Sequence, residues 1–164
     1  MPPTLGKITT LASHRLTSKA RKHIIALSKR GSMGAGMRPQ YHFRRSTQGL
    51  CAWNIHRLVD KSRSFPRERV PLSAIRELDE PYWSNEGNQQ LTCRNVVDHA
   101  RLMLDSDLAF PVILSTDGRV MDGMHRICKA LLQGFDDVEA VRFVKDPEPD
   151  YIGVHPDDLP YDTE

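Results

Sequence analysis

Five consecutive residues, Asp122-Gly123-Met124-His125-Arg126, combine side chains that can bind an anion and act on it. An arginine can hold a phosphate through two parallel hydrogen bonds, and a neighbouring histidine adds another donor. Because glycine has no side chain, Gly123 would let a ligand approach the backbone closely. An aspartate can cap a helix, bind a metal or take a proton from an attacking hydroxyl group. The segment predicts a phosphate site, although a tight turn with solvated side chains has the same residues.

The residue types suggest separate roles within this segment. Asp122 and His125 are the candidate catalytic residues. Gly123, His125 and Arg126 are the candidates for binding a nucleotide phosphate. No residue is assigned to a metal centre, because the sequence contains neither a CxxC pair nor an HExxH pattern.

The elements around the segment are predicted to place it at the start of a helix. Residues 111–115 are apolar and indicate a short strand, the Asp117-Gly118 pair is typical of a hairpin turn, and residues 119–121 return as the partner strand. A helix is expected from 122 to 133, with Asp122 as its N-cap and Gly134 at the C′ position. The N-terminus of a helix presents unpaired N–H groups and the positive end of its dipole, where anions bind. The residues expected to face the core are Ile127, Ala130 and Leu131.

The other elements follow from the spacing of apolar residues. A helix is expected over 53–62, a strand over 69–75, a loop over 79–91 and a last strand over 138–144. Thr92 is a plausible N-cap for a helix that runs through Leu104. The buried stripe of this helix is predicted to consist of Val96, Val97, Ala100, Met103 and Leu104.

Charge divides the chain into a basic first part and an acidic remainder. Residues 1–50 contain ten Lys or Arg and no acidic residue, whereas residues 51–164 contain thirteen Lys or Arg against twenty-one Asp or Glu. We therefore expect a basic, disordered extension over 1–50, a folded domain over 51–145 and an acidic, proline-rich tail over 146–164. The extension could touch nucleic acid, act as an organelle transit peptide or have no function, and plain disorder or extension is favoured. The tail could be disordered or lie extended over the domain through Tyr151, Ile152 and Val154.

Three cysteines and several aromatic residues carry weaker signals. Cys51, Cys93 and Cys128 are widely spaced and odd in number, which favours reduced thiols and a cytoplasmic location. No apolar run has the length of a transmembrane helix. The side chains that could stack on a nucleotide base are also common packing residues: Trp53, Tyr82 and Trp83. His56 and His99 lie on predicted helices, and we expect them to be ordinary surface or core residues.

The segment PVILSTDGRVMDGMHRICKALLQG, with VEAVRFV after it, resembles the core of the ParB/sulfiredoxin superfamily. The resemblance covers about residues 69–144, and its specific part is 122–126 together with the helix end at 132–134. It implies an α+β fold in which a small mixed sheet packs with helices between flexible termini. It also implies a bound nucleotide, either ATP, ADP or CTP, and Mg²⁺ is a candidate metal ion bound with it.

The branches of this superfamily differ in chemistry at the same turn. Sulfiredoxins have a cysteine just before the histidine, whereas this chain has Met124, and Cys128 lies one helical turn later. ParB partitioning proteins need a helix-turn-helix domain after the turn, whereas this chain ends in an acidic tail. The free serine kinases of this fold have a DGHHR-like turn, which this chain matches except at Met124. They also use a glutamate after the first strand, for which Glu77 and Glu80 are both candidates.

The resemblance therefore implies a nucleotide-binding protein that acts as a phosphotransferase or nucleotidase on a small-molecule phosphate acceptor. Two other classes of function remain open. The domain could sense a nucleotide without catalysis, or the protein could associate with DNA through the basic residues 1–50. No membrane partner is expected.

Overall fold

The computed structural model of the chain describes residues 40–83 and 92–160. Within these ranges it contains seven strands and three α-helices, so the expected α+β class is confirmed. Predictions for residues 1–39, 84–91 and 161–164 lie outside the described residues. The elements are β1 (Tyr41–Ser46), β2 (Gly49–Asn54), α1 (Ile55–Ser62), β3 (Arg67–Pro71), α2 (Cys93–Asp105), β4 (Val112–Leu114), β5 (Val120–Asp122), α3 (Met124–Leu132), β6 (Asp137–Arg142) and β7 (Tyr151–Ile152).

The larger sheet is mixed and has the strand order β3-β6-β4-β5. β4 and β5 form the predicted hairpin, with Gly118 at a φ of 81° in its turn. α3 then connects β5 to β6, which lies parallel to β4 on the side away from β5. β3 completes the sheet as an antiparallel edge strand. The smaller sheet is antiparallel, with the order β1-β2-β7.

The larger sheet is buried on both faces, which explains why β4 is a continuous apolar run rather than an alternating one. Val112 and Leu114 face one core, where they pack with Ile127 and other residues of α3. Ile113, which lies between them, faces the second core with residues of α1 and β2. Successive side chains of a strand point to opposite faces, so three adjacent apolar residues serve two cores.

The predicted core positions and C-terminal end of α3 are confirmed except at Leu131, but the helix begins at Met124 and not at residue 122. Ile127 and Ala130 are buried, and Gly134 has a positive φ of 75° just after the helix, as the C′ position requires. Leu131 was expected in the core but is 53% exposed. It directly follows Ala130, and neighbouring residues of a helix point in directions about 100° apart.

The helix α2 is present with its predicted cap, but its predicted buried stripe is wrong. Thr92 accepts a hydrogen bond from the Asn95 N–H at 3.2 Å, and the Asn95 side chain accepts one from the Thr92 N–H at 3.1 Å. No residue of α2 is buried, and Val96 and Val97 are 55% and 49% exposed. At its other end Lys129 donates to the carbonyl of Leu104 at 2.8 Å. The capping box stabilises the start of α2, the Lys129 bond ties its end to α3, and none of its residues is buried.

The predicted boundary between residues 50 and 51 is wrong, because it falls inside β2. Residues 41–46 and 49–54 pair as a regular antiparallel hairpin, so the described fold already includes residues that were assigned to the basic extension. Arg44, one of those basic residues, contacts Ser115 at 3.2 Å and Asp146 at 3.5 Å. The predicted helix over 53–62 accordingly begins only at Ile55, because Trp53 belongs to β2.

Of the two alternatives for the tail, the extended arrangement over the domain is confirmed. β7 pairs with β2 through Ile152 opposite Cys51, and Asp150 accepts from the Asn54 N–H at 2.8 Å. Leu159 is 4% exposed. The fold therefore continues well beyond the predicted limit at 145. Among the described residues, no helix combines the length and the apolar character that crossing a membrane requires.

Candidate functional site

A cavity of about 500 Å³ opens where β5 runs into α3. We call it the main groove. Its walls come from β1, from residues 82–83, from α2 and from the start of α3. It contains Asp122, Gly123, His125 and Arg126 of the sequence-predicted site, together with several residues that were not predicted. The aromatic and ionisable side chains that line it include those of Tyr41, His42, Tyr82, Trp83, His99, Asp122, His125 and Arg126.

The first turn of α3 forms part of the groove wall and has no side-chain cap. Gly123, and not Asp122, is the N-cap residue, with a φ of 102°. The prediction that Asp122 caps the helix is therefore wrong. The backbone N–H groups at the start of this nine-residue helix are left to solvent or to a ligand, and the helix dipole favours an anion there.

Gly123 is required by the chain's own packing. A Cβ atom at this position would lie 2.7 Å from Arg126 Nη2 and 2.8 Å from Val112 Cγ1. The positive φ of Gly123 is a second reason for glycine at this position, because residues with a side chain rarely adopt it. The sequence interpretation that Gly123 makes room for a ligand is thus wrong on this side of its backbone, where Arg126 and Val112 already fill the space.

Asp122 and Arg126 form an ion pair at 2.6 Å, and about a fifth of each side chain is exposed. Arg126 Nη2 also donates to the carbonyl of Pro111 at 3.2 Å. Its Nε is buried and has no hydrogen-bond partner among the described residues. The predicted phosphate-binding arginine and the predicted catalytic carboxylate are therefore bound to each other, and an incoming anion would have to share or displace this contact.

His125 belongs to a stacked cluster with Trp83 and His99. The two imidazoles lie against the indole, with ring centroids 4.2 Å and 5.2 Å from it, and His99 Nδ1 is 3.0 Å from His125 Nε2. Burial, and then the neighbouring His99, lower the pKa of His125 to about 4. Burial also lowers the pKa of His99. At neutral pH His125 is therefore an uncharged donor or acceptor, and one imidazole donates to the other.

Two further residues of the groove have shifted pKa values, and of these sequence reasoning named Tyr82 as a possible base-stacking residue but missed His42. Burial, and then Arg44, lower the pKa of His42 to about 4, and its Nε2 is buried without a hydrogen-bond partner among the described residues. Burial, and then the charge of Asp122, raise the pKa of Tyr82 to about 12, so its hydroxyl remains a donor at neutral pH. His42 lies on β1, in the part assigned to a disordered extension, and no local signal marked it.

Replacing His42 with Phe is expected to flatten the acid dependence of stability. The folded pKa of about 4 is below the ordinary 6.5, so the unfolded chain binds the proton more readily. The contribution of His42 to the free energy of unfolding is fully present above pH 6.5 and is lost as the pH falls to about 4. Its upper limit is about 3 kcal/mol. Urea unfolding at pH 7 and pH 4.5 measures this difference. His56→Gln, outside the groove, is the control and should retain the wild-type slope. An equally steep loss in His42→Phe would show that His42 is not the group responsible.

A neighbouring cavity of about 420 Å³ shares Tyr82 and Trp83 with the main groove and contains both candidate glutamates. Glu77 is 3% exposed and accepts from the Val120 N–H at 3.0 Å and from Arg119 Nε at 3.0 Å. Glu80 binds the outer nitrogens of the same guanidinium, each at 2.8 Å. Neither glutamate lines the main groove. Their contacts show that they hold the 3₁₀ segment Arg76–Asp79 against β5.

The described residues contain no group of three or more His, Cys, Asp or Glu that could hold a metal ion. Asp105 and Asp122 supply the carboxylates of the main groove. One or two carboxylates together with phosphate oxygens are a usual set of ligands for Mg²⁺. These two carboxylates are the donors that the groove would offer to a Mg²⁺ ion bound together with phosphate oxygens.

All three cysteines are free thiols. Cys128 is half-buried, burial raises its pKa, and it does not line the main groove. A raised pKa lowers the fraction of reactive thiolate.

Comparison with protein-family models, with curated proteins and with solved structures found no match. The interpretation of the main groove therefore depends on its own geometry, and the resemblance to the ParB/sulfiredoxin superfamily stays a prediction.

Proposed function

We propose that the chain binds a nucleoside di- or triphosphate in the main groove, with ATP, ADP and CTP as the candidates. The observation that carries this proposal is the uncapped start of α3, which forms a wall of a 500 Å³ cavity beside Arg126. Backbone N–H groups, the helix dipole and a guanidinium all favour phosphate at one point. A superfamily resemblance at the same five residues supports it further.

The phosphates would lie at Gly123 to Arg126, and the base would contact the aromatic wall. Exchange of the Asp122 carboxylate for a phosphate oxygen keeps the Arg126 guanidinium paired, and the released Asp122 carboxylate would then need the acceptor hydroxyl or a Mg²⁺ ion as its partner. Tyr41, Tyr82 and Trp83 line the groove and offer apolar ring surface for a planar base. These proposed contacts would bind ATP, ADP or CTP alike, so they do not distinguish among the three nucleotides.

The catalytic form of the proposal is phosphoryl transfer to a small acceptor or to water. Asp122 would orient the acceptor hydroxyl once the phosphate has drawn Arg126 away from it. His125, uncharged, would donate to an oxygen of the transferred group. Such transfer depends mainly on positioning and charge stabilisation, and a bound Mg²⁺ would supply further neutralisation of the phosphates.

One observation favours the non-catalytic alternative, a nucleotide sensor. Asp122 is held by Arg126 at 2.6 Å, so the carboxylate is not positioned for proton transfer in this arrangement. The DNA-associated alternative depends largely on residues 1–39, which lie outside the described residues, and Arg44 is engaged within the fold. A cytoplasmic location remains part of the proposal, because the cysteines are unpaired.

A thermal-shift and calorimetric titration with ATP, ADP and CTP, each with and without Mg²⁺, tests the proposal. A ligand that binds only the folded state raises the unfolding temperature. Trp83→Ala should weaken nucleotide binding roughly ten-fold, because base–aromatic stacking contributes about 1–3 kcal/mol. Phe135→Ala, an exposed aromatic residue outside the groove, is the matched control and should bind like the wild type. Absence of any shift at millimolar nucleotide would overturn the proposal.

A further inference from the structure

A third cavity, of about 300 Å³, shares Asp122 and Arg126 with the main groove but has otherwise different walls. We call it the rear cavity. It lies between α1, β3, β4 and β6, and its volume is at the lower end of the range for small-molecule sites. The proposed nucleotide site uses none of its other residues.

The floor of the rear cavity is apolar. Ile113 and Val141 are 2% and 3% exposed, so their side chains belong to the folded core. Val59 and Phe65 form the side next to α1, and Phe110, which is 62% exposed, stands at the rim. An exposed phenyl ring above an apolar hollow can become covered when an apolar ligand enters, which favours binding because apolar surface is removed from water.

The rim is cationic. Three arginines are among the lining residues, Arg63, Arg67 and Arg126, and the one acidic residue among them is Asp122. Arg67 pairs with Glu139 at 2.7 Å, but its side chain is 54% exposed, and such surface pairs contribute little. Its guanidinium can therefore turn towards an acceptor in the cavity at small cost.

We propose that the rear cavity binds a small carboxylic acid with an apolar body. The carboxylate would be held by the guanidinium groups of Arg67 and Arg126, and the apolar body would lie on Ile113, Val141 and Phe65. Arginine matches the planar, two-oxygen geometry of a carboxylate. A phosphate carries more charge, so its desolvation against this apolar floor would cost more.

The test uses the full chain without nucleotide, so its outcome is independent of the proposed function. 4-Phenylbutyrate is the probe, followed by calorimetric titration and by the NMR signals of the arginine Nε–H groups. The uncharged 4-phenylbutyramide has nearly the same shape, and 4-phenylbutylamine has the opposite charge. We expect saturable binding of the acid, at least about ten-fold weaker binding of both analogues, and shifts of the Arg67 and Arg126 signals.

Two variants locate the site and one controls for charge. Arg67→Gln removes a charge-assisted hydrogen bond and should weaken the acid about ten-fold or more, and Val59→Trp should fill the cavity and block binding. Arg69→Gln is the matched control, because Arg69 lies on the same strand but does not line this cavity. Circular dichroism checks that each variant is folded; if Val59→Trp is not, Arg67→Gln decides alone.

Loss of binding in Arg67→Gln together with wild-type binding in Arg69→Gln would support the proposal. Equal affinity for the acid and the amide would overturn it, because the guanidinium groups would then play no part. Acid binding that is unchanged in Arg67→Gln, or no binding at millimolar acid, would overturn it as well.

Discussion

Replacement of Glu77 by Ala is expected to lower the free energy of unfolding by about 1–3 kcal/mol, because the buried Val120 N–H is left without its acceptor. Glu77 is 3% exposed, and its Oε1 accepts from Arg119 Nε and from the Val120 N–H. Without it the N–H at the first residue of β5 has lost its acceptor, and the 3₁₀ segment has lost its anchor. Urea unfolding followed by circular dichroism measures the difference.

Glu80→Ala is the matched control for this variant. Glu80 binds the same guanidinium, but its side chain is 39% exposed. An exposed pair contributes about 0–1 kcal/mol, so this variant should remain close to the wild type. If the two variants lose equal stability, burial is not what makes Glu77 important.

Arg126→Ala is expected to weaken nucleotide binding about ten- to a hundred-fold, since a hydrogen bond to a charged group contributes about 1.5–3 kcal/mol. The same change leaves Asp122 without its partner, and the unpaired carboxylate would repel phosphate further. Calorimetric titration measures the affinity, and Arg69→Gln, away from the main groove, controls for the loss of a positive charge. Unchanged affinity would place the phosphate elsewhere.

Asp122→Asn should have the opposite effect on binding. The substitution removes a negative charge beside the proposed phosphate position and releases Arg126, so affinity should persist or increase. The helix start should survive, because Gly123 and not Asp122 occupies the N-cap. The rate of any metal-dependent phosphoryl transfer should fall to background, and an assay of phosphate release measures this rate. Full turnover in this variant would remove Asp122 from the mechanism and leave the sensor alternative.

The strand, hairpin, strand and helix around the candidate site could be predicted from sequence because their signals are local. The Asp117-Gly118 turn, the apolar run of β4 and the glycine after α3 each act within a few residues. The ion pair between Asp122 and Arg126 at the start of α3 also has a local signal in the sequence. Asp122 and Arg126 are four residues apart, which is the spacing of an ion pair across one helical turn.

The errors come from interactions between distant parts of the chain. The hairpin β1–β2 was missed because composition alone marked residues 1–50 as one basic segment, whereas Arg44 finds its partners on residues 115 and 146. The stripe on α2 has helical spacing, yet none of its residues is buried. A periodic apolar pattern predicts a helix, but it does not show what lies against that helix.

The aromatic and histidine cluster of the site could not be read from sequence for the same reason. His99 and His125 are 26 positions apart and meet only because α2 packs beside the start of α3. Residue type suggested ordinary surface or core roles for His99, and packing roles for Trp83. Their shared stack in the main groove is a property of the tertiary structure.

The most direct test of a nucleotide site at the start of α3 is an NMR titration of the ¹⁵N-labelled chain with ADP. The account predicts that the backbone amide signals of residues 123–126 shift with one saturation curve, together with the Trp83 indole N–H. Helix N–H groups that donate to a phosphate oxygen change their hydrogen bonding directly. Saturable shifts confined to other parts of the chain, or none at millimolar ADP, would contradict it.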